Sequence, residues 1–337
     1  VQWYRASAGR ARVATVATSS VTQGFANMDG SDKNAQGGAA AYHTASGKYA
    51  IAYADGSNSN YGTLVSGTLN LNGTVTWGTP VVYLSSGQSG TPSIAEINGR
   101  IVISYKIGST SVNLIATTND ALTTFGSTVV VTVAGDSSAA PANHSMTADT
   151  TSNYAIVAIG GVSSSAQATF IRPAYIPSGT GAIVMGGTAY GPYAVGNQSE
   201  NGLRGVHDPD TNRTIIPYKK LTSGSVYKAA VRVVQATGST SSPTLTVGDE
   251  VFISDVDATS NTSKCSMGYD PVNNKVFAIS QEGTSDYVLK GYIGTVTGGT
   301  TNSISFAGDA TIHDPSNFII QHAMAYNVYQ EKFFVFY

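Results

Sequence analysis

Val206-His207-Asp208-Pro209-Asp210-Thr211-Asn212-Arg213-Thr214-Ile215-Ile216-Pro217-Tyr218 reads as the end of one strand, a tight reversal and a second strand. The same register returns in Gly268-Tyr269-Asp270-Pro271-Val272-Asn273-Asn274-Lys275-Val276-Phe277-Ala278-Ile279 and in Ala41-Tyr42-His43-Thr44-Ala45-Ser46-Gly47-Lys48-Tyr49-Ala50-Ile51-Ala52-Tyr53. Asp-Pro sets φ for the reversal, Asn or Gly accepts the left-handed position, and Lys or Arg resumes an extended chain. Looser copies lie around Ala95 to Tyr105, Ala148 to Ile159 and Tyr326 to Tyr337. With Tyr42, Ala95, Ala148, His207, Tyr269 and Tyr326 as equivalent positions, the copies are 53, 53, 59, 62 and 57 residues apart.

A repeat of that length has room for four strands of five or six residues with short turns. Second strands alternate, as in Tyr49, Ile51 and Tyr53 against Ala50 and Ala52, while Ile101-Val102-Ile103 is apolar throughout and suits a strand covered on both faces. Third strands are read at Arg12–Val16, Tyr61–Val65, Val112–Ala116, Thr169–Arg172, Lys228–Val233 and Val288–Ile293. Fourth strands carry a bulky residue followed by a small one: Trp77-Gly78, Phe125-Gly126, Met185-Gly186, Val247-Gly248 and Phe306-Ala307. The large side chain is expected to wedge between sheets, and the glycine to permit a bulge where backbones approach.

Four antiparallel strands per repeat and near absence of helix define an all-β β-propeller, expected to form a single domain over residues 1–337. Val1-Gln2-Trp3-Tyr4-Arg5 aligns with Phe333-Phe334-Val335-Phe336-Tyr337, and six intervals separate Tyr4 from Tyr337, so six blades are expected. In a six-bladed ring the strands ending at Tyr329 and Tyr337 would join those following Gly9 and Ser20, leaving the first five residues surplus. Seven blades are the alternative if the chain is an excerpt of a longer polypeptide.

Charged residues make up 11% of the chain, and the net charge is −2 with 18 scattered basic residues. Such a surface offers no basic stripe for nucleic acid. Apolar runs are of strand length, short of the ~20 residues of a membrane-spanning helix, so no membrane insertion is expected. The one cysteine, Cys265, has no internal disulfide partner and is read as a small buried hydrophobe beside Met267.

No catalytic motif emerges. Paired carboxylates for a glycosidase would have to come from Asp255, Asp257, Glu282 or Asp286, although loop acids are usually solvated. The histidines 43, 144, 207, 313 and 322 lack paired metal-ligand spacing; turn formation accounts for His207-Asp208-Pro209 and His313-Asp314-Pro315. Asp29-Gly30-Ser31-Asp32 and Asp55-Gly56-Ser57-Asn58-Ser59-Asn60 are oxygen-rich but lack the closing glutamate of an EF-hand loop, so no metal and no cofactor is assigned. The longest departure from the repeat is Gly187 to Glu200, where Tyr190, Tyr193, Asn197 and Gln198 form a candidate ligand-binding set. Tyrosine rings suit the apolar faces of sugars, and amides suit their hydroxyls; packing of Tyr190 and Tyr193 against a neighbouring blade or subunit is the competing role.

Thr118-Asn119-Asp120-Ala121-Leu122-Thr123-Thr124-Phe125 resembles a degenerate Asp box of sialidase-type propellers, with Thr for Ser, Leu for Gly and Phe for Trp. In that family the box is a turn staple remote from catalysis. Phe170-Ile171-Arg172-Pro173 is similar to the family's Phe-Arg-Ile-Pro signature but displaced, and the eight arginines show no motif gathering three of them on a carboxylate. The Tyr269–Val276 hairpin, the Asp55–Gly62 loop, and Gly294–Thr300 followed by Ile304–Phe306 resemble propeller repeats of tailed-bacteriophage virion proteins. That resemblance implies a structural tail, tail-fibre or receptor-binding component on the virion's extracellular surface. Its implied partners are other copies, other virion proteins and a host-surface glycan or receptor. A bacterial adhesin or lectin-like module and a sialidase-like hydrolase are the alternatives.

Overall fold

The computed structural model describes residues 2–5, 9–16, 21–27, 35–71, 74–108, 111–131, 140–162, 167–195, 205–223, 226–256, 265–283, 288–313 and 323–336. Among the described residues, apart from one 3-10 turn at Gly56–Asn58, the regular elements are β-strands joined in antiparallel ladders. The chain is all-β, built of repeated up-and-down sheets. Its contacts separate into two compact units, residues 1–132 with 176–183 and residues 133–175 with 184–337.

In the first unit, β1 (Gln2–Arg5), β2 (Gly9–Val16) and β3 (Val21–Asn27) form one sheet in chain order. β1 pairs with β2 from Gln2↔Arg12 to Arg5↔Gly9. This corrects the expectation that the first five residues are surplus: they take the place that a second strand holds beside the third in every repeat. The reason is backbone satisfaction, because β1 covers an edge of β2 whose N–H and C=O groups would otherwise lack partners.

The next eight strands are β4 (Ala35–His43), β5 (Lys48–Asp55), β6 (Tyr61–Leu69), β7 (Val75–Trp77), β8 (Val81–Ile97), β9 (Arg100–Ile107), β10 (Ser111–Ala116) and β11 (Val129–Val131). They share one ladder because β8 serves two repeats: its start pairs with β6 at Thr63↔Val82, its end with β9 at Ile94↔Ile103. The alternation read in β5 is real. Ala50 and Ala52 face a core with Leu64, Ile101 and Ile103, whereas Ile51 and Tyr53 pack with Val65 on the opposite side. Ile101, Val102 and Ile103 are each 0% exposed, as a strand covered on both faces requires.

The second unit stacks β12 (Ala140–Asp149), β13 (Tyr154–Val162), β14 (Gln167–Tyr175), β15 (Val184–Met185) and β16 (Tyr190–Val195), then β17 (Val206–Asp208), β18 (Arg213–Ser223), β19 (Val226–Ser239) and β20 (Ser242–Phe252). Next come β21 (Cys265–Asp270), β22 (Lys275–Glu282), β23 (Val288–Thr297) and β24 (Ser303–His313), and finally the β25 (Ala323–Asn327) and β26 (Lys332–Phe336) hairpin. The cores lie between sheets. Ile156 and Ile171 pack with Ile216, Val234 and Leu245 of the next sheet; Val231, Val233 and Ile253 pack with Cys265, Val276, Ala278 and Tyr292 of the one after. Each buried isoleucine or valine contributes about 1.5–3 kcal/mol, so sheet-to-sheet contact carries much of this unit's stability.

The bulky-then-small step is a docking point. Gly186 N–H donates to Pro173 O at 2.9 Å, bending the fourth strand outward. A Cβ there would stand 2.6 Å from Pro243 O, at the start of β20 in the next sheet. Gly248 meets Asn302 O of the β23–β24 reversal more closely still, inside the 3.0 Å that real Cβ atoms keep. Arginines seal the same places: Arg172 Nη2 donates to Gly186 O at 2.6 Å and Arg232 Nη1 to Gly248 O at 2.7 Å.

One part of the predicted loop at Gly187 to Glu200 is a strand instead. β16 runs antiparallel to β14 with Ile171↔Tyr190 and Thr169↔Tyr193. It resumes the fourth strand after the bend at Gly186, which the sequence pattern hides because the bend interrupts the alternation.

Candidate functional site

Antiparallel up-and-down order places the reversals between first and second strands, and between third and fourth strands, at one end of every sheet. The remaining connections lie at the opposite end. Polar and charged side chains gather at both ends, and their partners differ.

At the first end, four of the described reversals are built on an acceptor side chain. Asp149 Oδ1 accepts the N–H groups of Thr151 and Ser152 at 3.1 and 2.8 Å. Asp208 Oδ1 accepts those of Asp210 and Thr211 at 3.0 and 3.2 Å, and Asp270 Oδ1 those of Val272 and Asn273 at 3.0 and 3.2 Å. Asn327 repeats the pattern with Tyr329 and Gln330. These are Asx turns, in which the side chain supplies the hydrogen bond that a fourth backbone residue otherwise makes.

The residue before the turn acceptor then reaches the preceding reversal. Tyr269 Oη donates to Asp210 Oδ2 at 2.9 Å, and Tyr326 Oη to Asp270 Oδ1 at 2.8 Å. His207 Nε2 lies 2.9 Å from Thr151 Oγ1 and 3.4 Å from Asp149 Oδ1. In the first unit, Glu96 accepts Thr44 N–H at 2.9 Å and Thr44 Oγ1–H at 2.6 Å. His43 also joins two reversals: Nε2 meets Gly99 O at 3.1 Å and Nδ1 meets Ser46 Oγ at 2.7 Å. The sequence carried a signal for this series, a polar-tipped side chain one place before the turn acceptor, but turn chemistry alone does not say that it points to a neighbouring sheet.

Arginines are committed in the same way. Arg213, 4% exposed, donates to Thr211 O, Asn212 O and, from Nη2, to Gly299 O at 2.8 Å. Burial holds the guanidiniums of both Arg213 and Arg172 below their ordinary range, Asp208 offsetting part of this at Arg213. Arg100 pairs with Asp120 at 2.8 Å. Arg5, Arg10 and Arg12 lie on β1 and β2; Arg204 lies outside the described residues. Among the described side chains, no three arginines converge on one acceptor.

The box-like Thr118–Phe125 segment is a turn staple. Thr118 N–H donates to Thr124 O at 2.9 Å, Thr123 N–H to Asn119 Oδ1 at 3.0 Å, and Asn119 Nδ2 to Thr123 Oγ1 at 2.9 Å. Leu122, standing where the motif has glycine, takes φ 62 with its side chain 2% exposed.

At the opposite end, β18 to β24 assemble a different cluster. Tyr218 Oη donates to Glu250 Oε2 at 2.6 Å, with Lys220 Nζ 3.3 Å from the same oxygen. Tyr292 donates to Glu282 Oε1, and Lys290 to Asp309. Burial, then the bond to the carboxylate, raises both tyrosine hydroxyls well above their ordinary value. Glu282 is 3% exposed, and its Oε2 is buried without a hydrogen-bond partner. Asp255 is exposed, 3.8 Å from Lys228 Nζ; Asp257 and Asp286 lie outside the described residues. At this end Glu250, Glu282, Asp309 and Asp255 thus each face a tyrosine or a lysine rather than a second carboxylate.

Of the candidate ligand set, Tyr190 packs beside the Ile156 to Leu245 core, and its hydroxyl accepts Leu245 N–H at 2.9 Å. Tyr193 lies on β16, while Asn197 and Gln198 fall outside the described residues. Asp55, from the oxygen-rich loop, caps its own 3-10 turn by accepting Ser57 N–H at 3.0 Å; Asp29-Gly30-Ser31-Asp32 is outside the described residues. No three His, Cys, Asp or Glu among the described residues converge as a metal site requires.

No protein-family model and no curated protein matches the sequence. Among solved structures, a NanB complex with optactamide aligns at TM-score 0.41 and 14% identity, covering 89% of this chain and 52% of that one. The Pseudomonas aeruginosa periplasmic gluconolactonase PpgL aligns at TM-score 0.32 and 10% identity, covering 93% of this chain and 99% of that one. The chain thus spans about half the length of the NanB chain.

Proposed function

We propose that this chain is a display scaffold of a tailed-bacteriophage tail or tail fibre, oligomeric in the particle, whose connecting loops contact a host-surface glycan. The observation that carries the reading is the use made of its charged groups. Arg100, Arg172, Arg213 and Arg232 bind a surface aspartate or backbone carbonyls, and Asp149, Asp208 and Asp270 organise reversals. Such charges rigidify sheets and leave recognition to the loops between them. Immunogold labelling of purified particles, with binding of the isolated protein to host cells before and after glycan stripping, tests the reading. Binding indifferent to stripping, together with label absent from tails, overturns it.

A glycoside hydrolase is the second reading, favoured by the Tyr292–Glu282 pair and the orphaned Glu282 Oε2. It predicts turnover of aryl glycosides that Glu282→Gln abolishes while stability is kept. A bacterial adhesin predicts the same cell binding without particle association.

A further inference from the structure

The junction between the β12–β16 and β17–β20 sheets differs from the two that follow it. At those, a tyrosine hydroxyl reaches the preceding reversal; here the reaching group is the imidazole of His207. Its side chain is 7% exposed, with Nε2 2.9 Å from Thr151 Oγ1 and Nδ1 3.1 Å from Thr214 Oγ1. Hydroxyls donate or accept, so these two satisfy a neutral ring in either tautomer. The nearest carboxylate oxygen, Asp149 Oδ1, stands 3.4 Å away and already takes two backbone N–H groups.

We propose that His207 is an acid-released latch: the neutral ring ties the Asp149 reversal to Thr214, and proton uptake on mild acidification weakens that tie. The groups around it are Asp149 and Tyr154 from the β12–β13 hairpin, Asp208 and Asp210 on its own reversal, and Arg213 at the start of β18. From β21 comes Tyr269, whose hydroxyl is held by Asp210. Burial opposes the imidazolium and outweighs the pull of Asp149 and Asp208 and the backbone hydrogen bond at Arg213, keeping the ring below the ordinary histidine value. A base so depressed is protonated first in the opened or unfolded chain. Stability of the junction is therefore full above about pH 6.5 and falls as pH drops from there through the folded-state value, about tenfold in the closing equilibrium per unit of depression.

The test compares wild type with His207→Gln and with His207→Tyr, which installs the side chain of the two following junctions. Hydrogen exchange of peptides covering 149–154 and 206–214, corrected for intrinsic rates, is read at about pH 7.5 and about pH 5, the range over which histidine titrates. Wild type should lose protection of these peptides on acidification, while both variants respond no more than the rest of the chain. Equal responses in all three proteins overturn the proposal. Should neither variant fold, the ring resonances of wild-type His207 decide: titration below 6.5 supports the latch, and titration at or above it refutes it.

Discussion

Replacing single glycines at the bulky-then-small steps by alanine measures how closely successive sheets meet. Gly248, Gly186 and Gly78 all have ordinary φ, so the added methyl group brings no backbone strain and the effect is that of space alone. At Gly78 a Cβ would meet Ser66 Oγ at 3.1 Å and Ser66 O at 3.4 Å, and the hydroxyl can rotate away. At Gly186 it would stand 2.6 Å from Pro243 O and 2.9 Å from Pro173 Cγ, so a neighbouring backbone has to retreat to at least 3.0 Å. At Gly248 the overlap with Asn302 O is deeper, and Asn302 is itself tied back by its Nδ2 donating to Thr246 O at 3.0 Å. Overpacking of a close-packed contact costs about 1–3 kcal/mol, more where backbone must shift. Gly78→Ala should therefore be nearly neutral, Gly186→Ala should cost about 2 kcal/mol, and Gly248→Ala about 3 kcal/mol or more. For a chain of this size the last corresponds to a drop in Tm of about 4 °C. Urea and thermal unfolding followed by circular dichroism would rank the three. An equal effect at all positions, or a Gly248 variant as stable as wild type, would refute the claim that sheets dock backbone to backbone at these steps.

Other expectations follow from the same geometry. Cys265 is 4% exposed and burial raises its thiol far above the ordinary value, so a disulfide reagent such as dithionitrobenzoate should label it only on unfolding; prompt native labelling contradicts the packing. Tyr326 is pushed up to about 12, by burial first and then by its bond to Asp270. Absorbance titration should find a phenol still neutral near pH 11 that Tyr326→Phe removes, and the stability it lends should fade as pH rises from about 10, the unfolded value, through the folded one. Burial raises Asp270, but the bonds from Asn273, Tyr326 and the turn amides more than offset it and hold the carboxyl below its ordinary value. The stability it confers is present above pH ~4 and disappears as pH falls through the folded value. Asp270→Ala should cost about 1–2 kcal/mol in urea unfolding at neutral pH, and Asp270→Asn, which keeps one acceptor, less.

The strands were legible because two local signals coincide in them. Asp-Pro-x-x-Asn-Lys placed the reversals, and the third strands at Tyr61, Val112, Lys228 and Val288 fall inside β6, β10, β19 and β23. The fourth strands were half legible. Met185-Gly186 marked the step correctly, but the chain bends there to admit Pro243 O, and the resumed strand at Tyr190 reads as loop because alternation is lost across the bend. The role of Tyr190 shows the limit of side-chain chemistry read without contacts. A tyrosine followed by Gly-Pro suits a sugar-binding loop and an inter-sheet bracket equally well, and only the proximity of Leu245 N–H, 55 residues away, identifies the bracket.

The titratable residues carry a similar lesson with a functional edge. Tyr269, Tyr326 and His207 occupy one register and perform one task, holding a reversal to its predecessor, yet only the imidazole changes charge near neutral pH. Tyrosine at the two later junctions gives a tie that is indifferent to acid until its aspartate partner titrates. Histidine at position 207 makes the tie conditional, because its hydroxyl partners Thr151 and Thr214 satisfy the neutral ring while burial opposes the charged one more than Asp149, at 3.4 Å, favours it. If the His207 junction were merely structural, a tyrosine would do the same work there. The decisive comparison is therefore His207→Tyr: equal protection at neutral pH with a lost response to acid assigns the histidine to conditional release, whereas an unchanged response moves the acid sensitivity to the aspartates that all three junctions share.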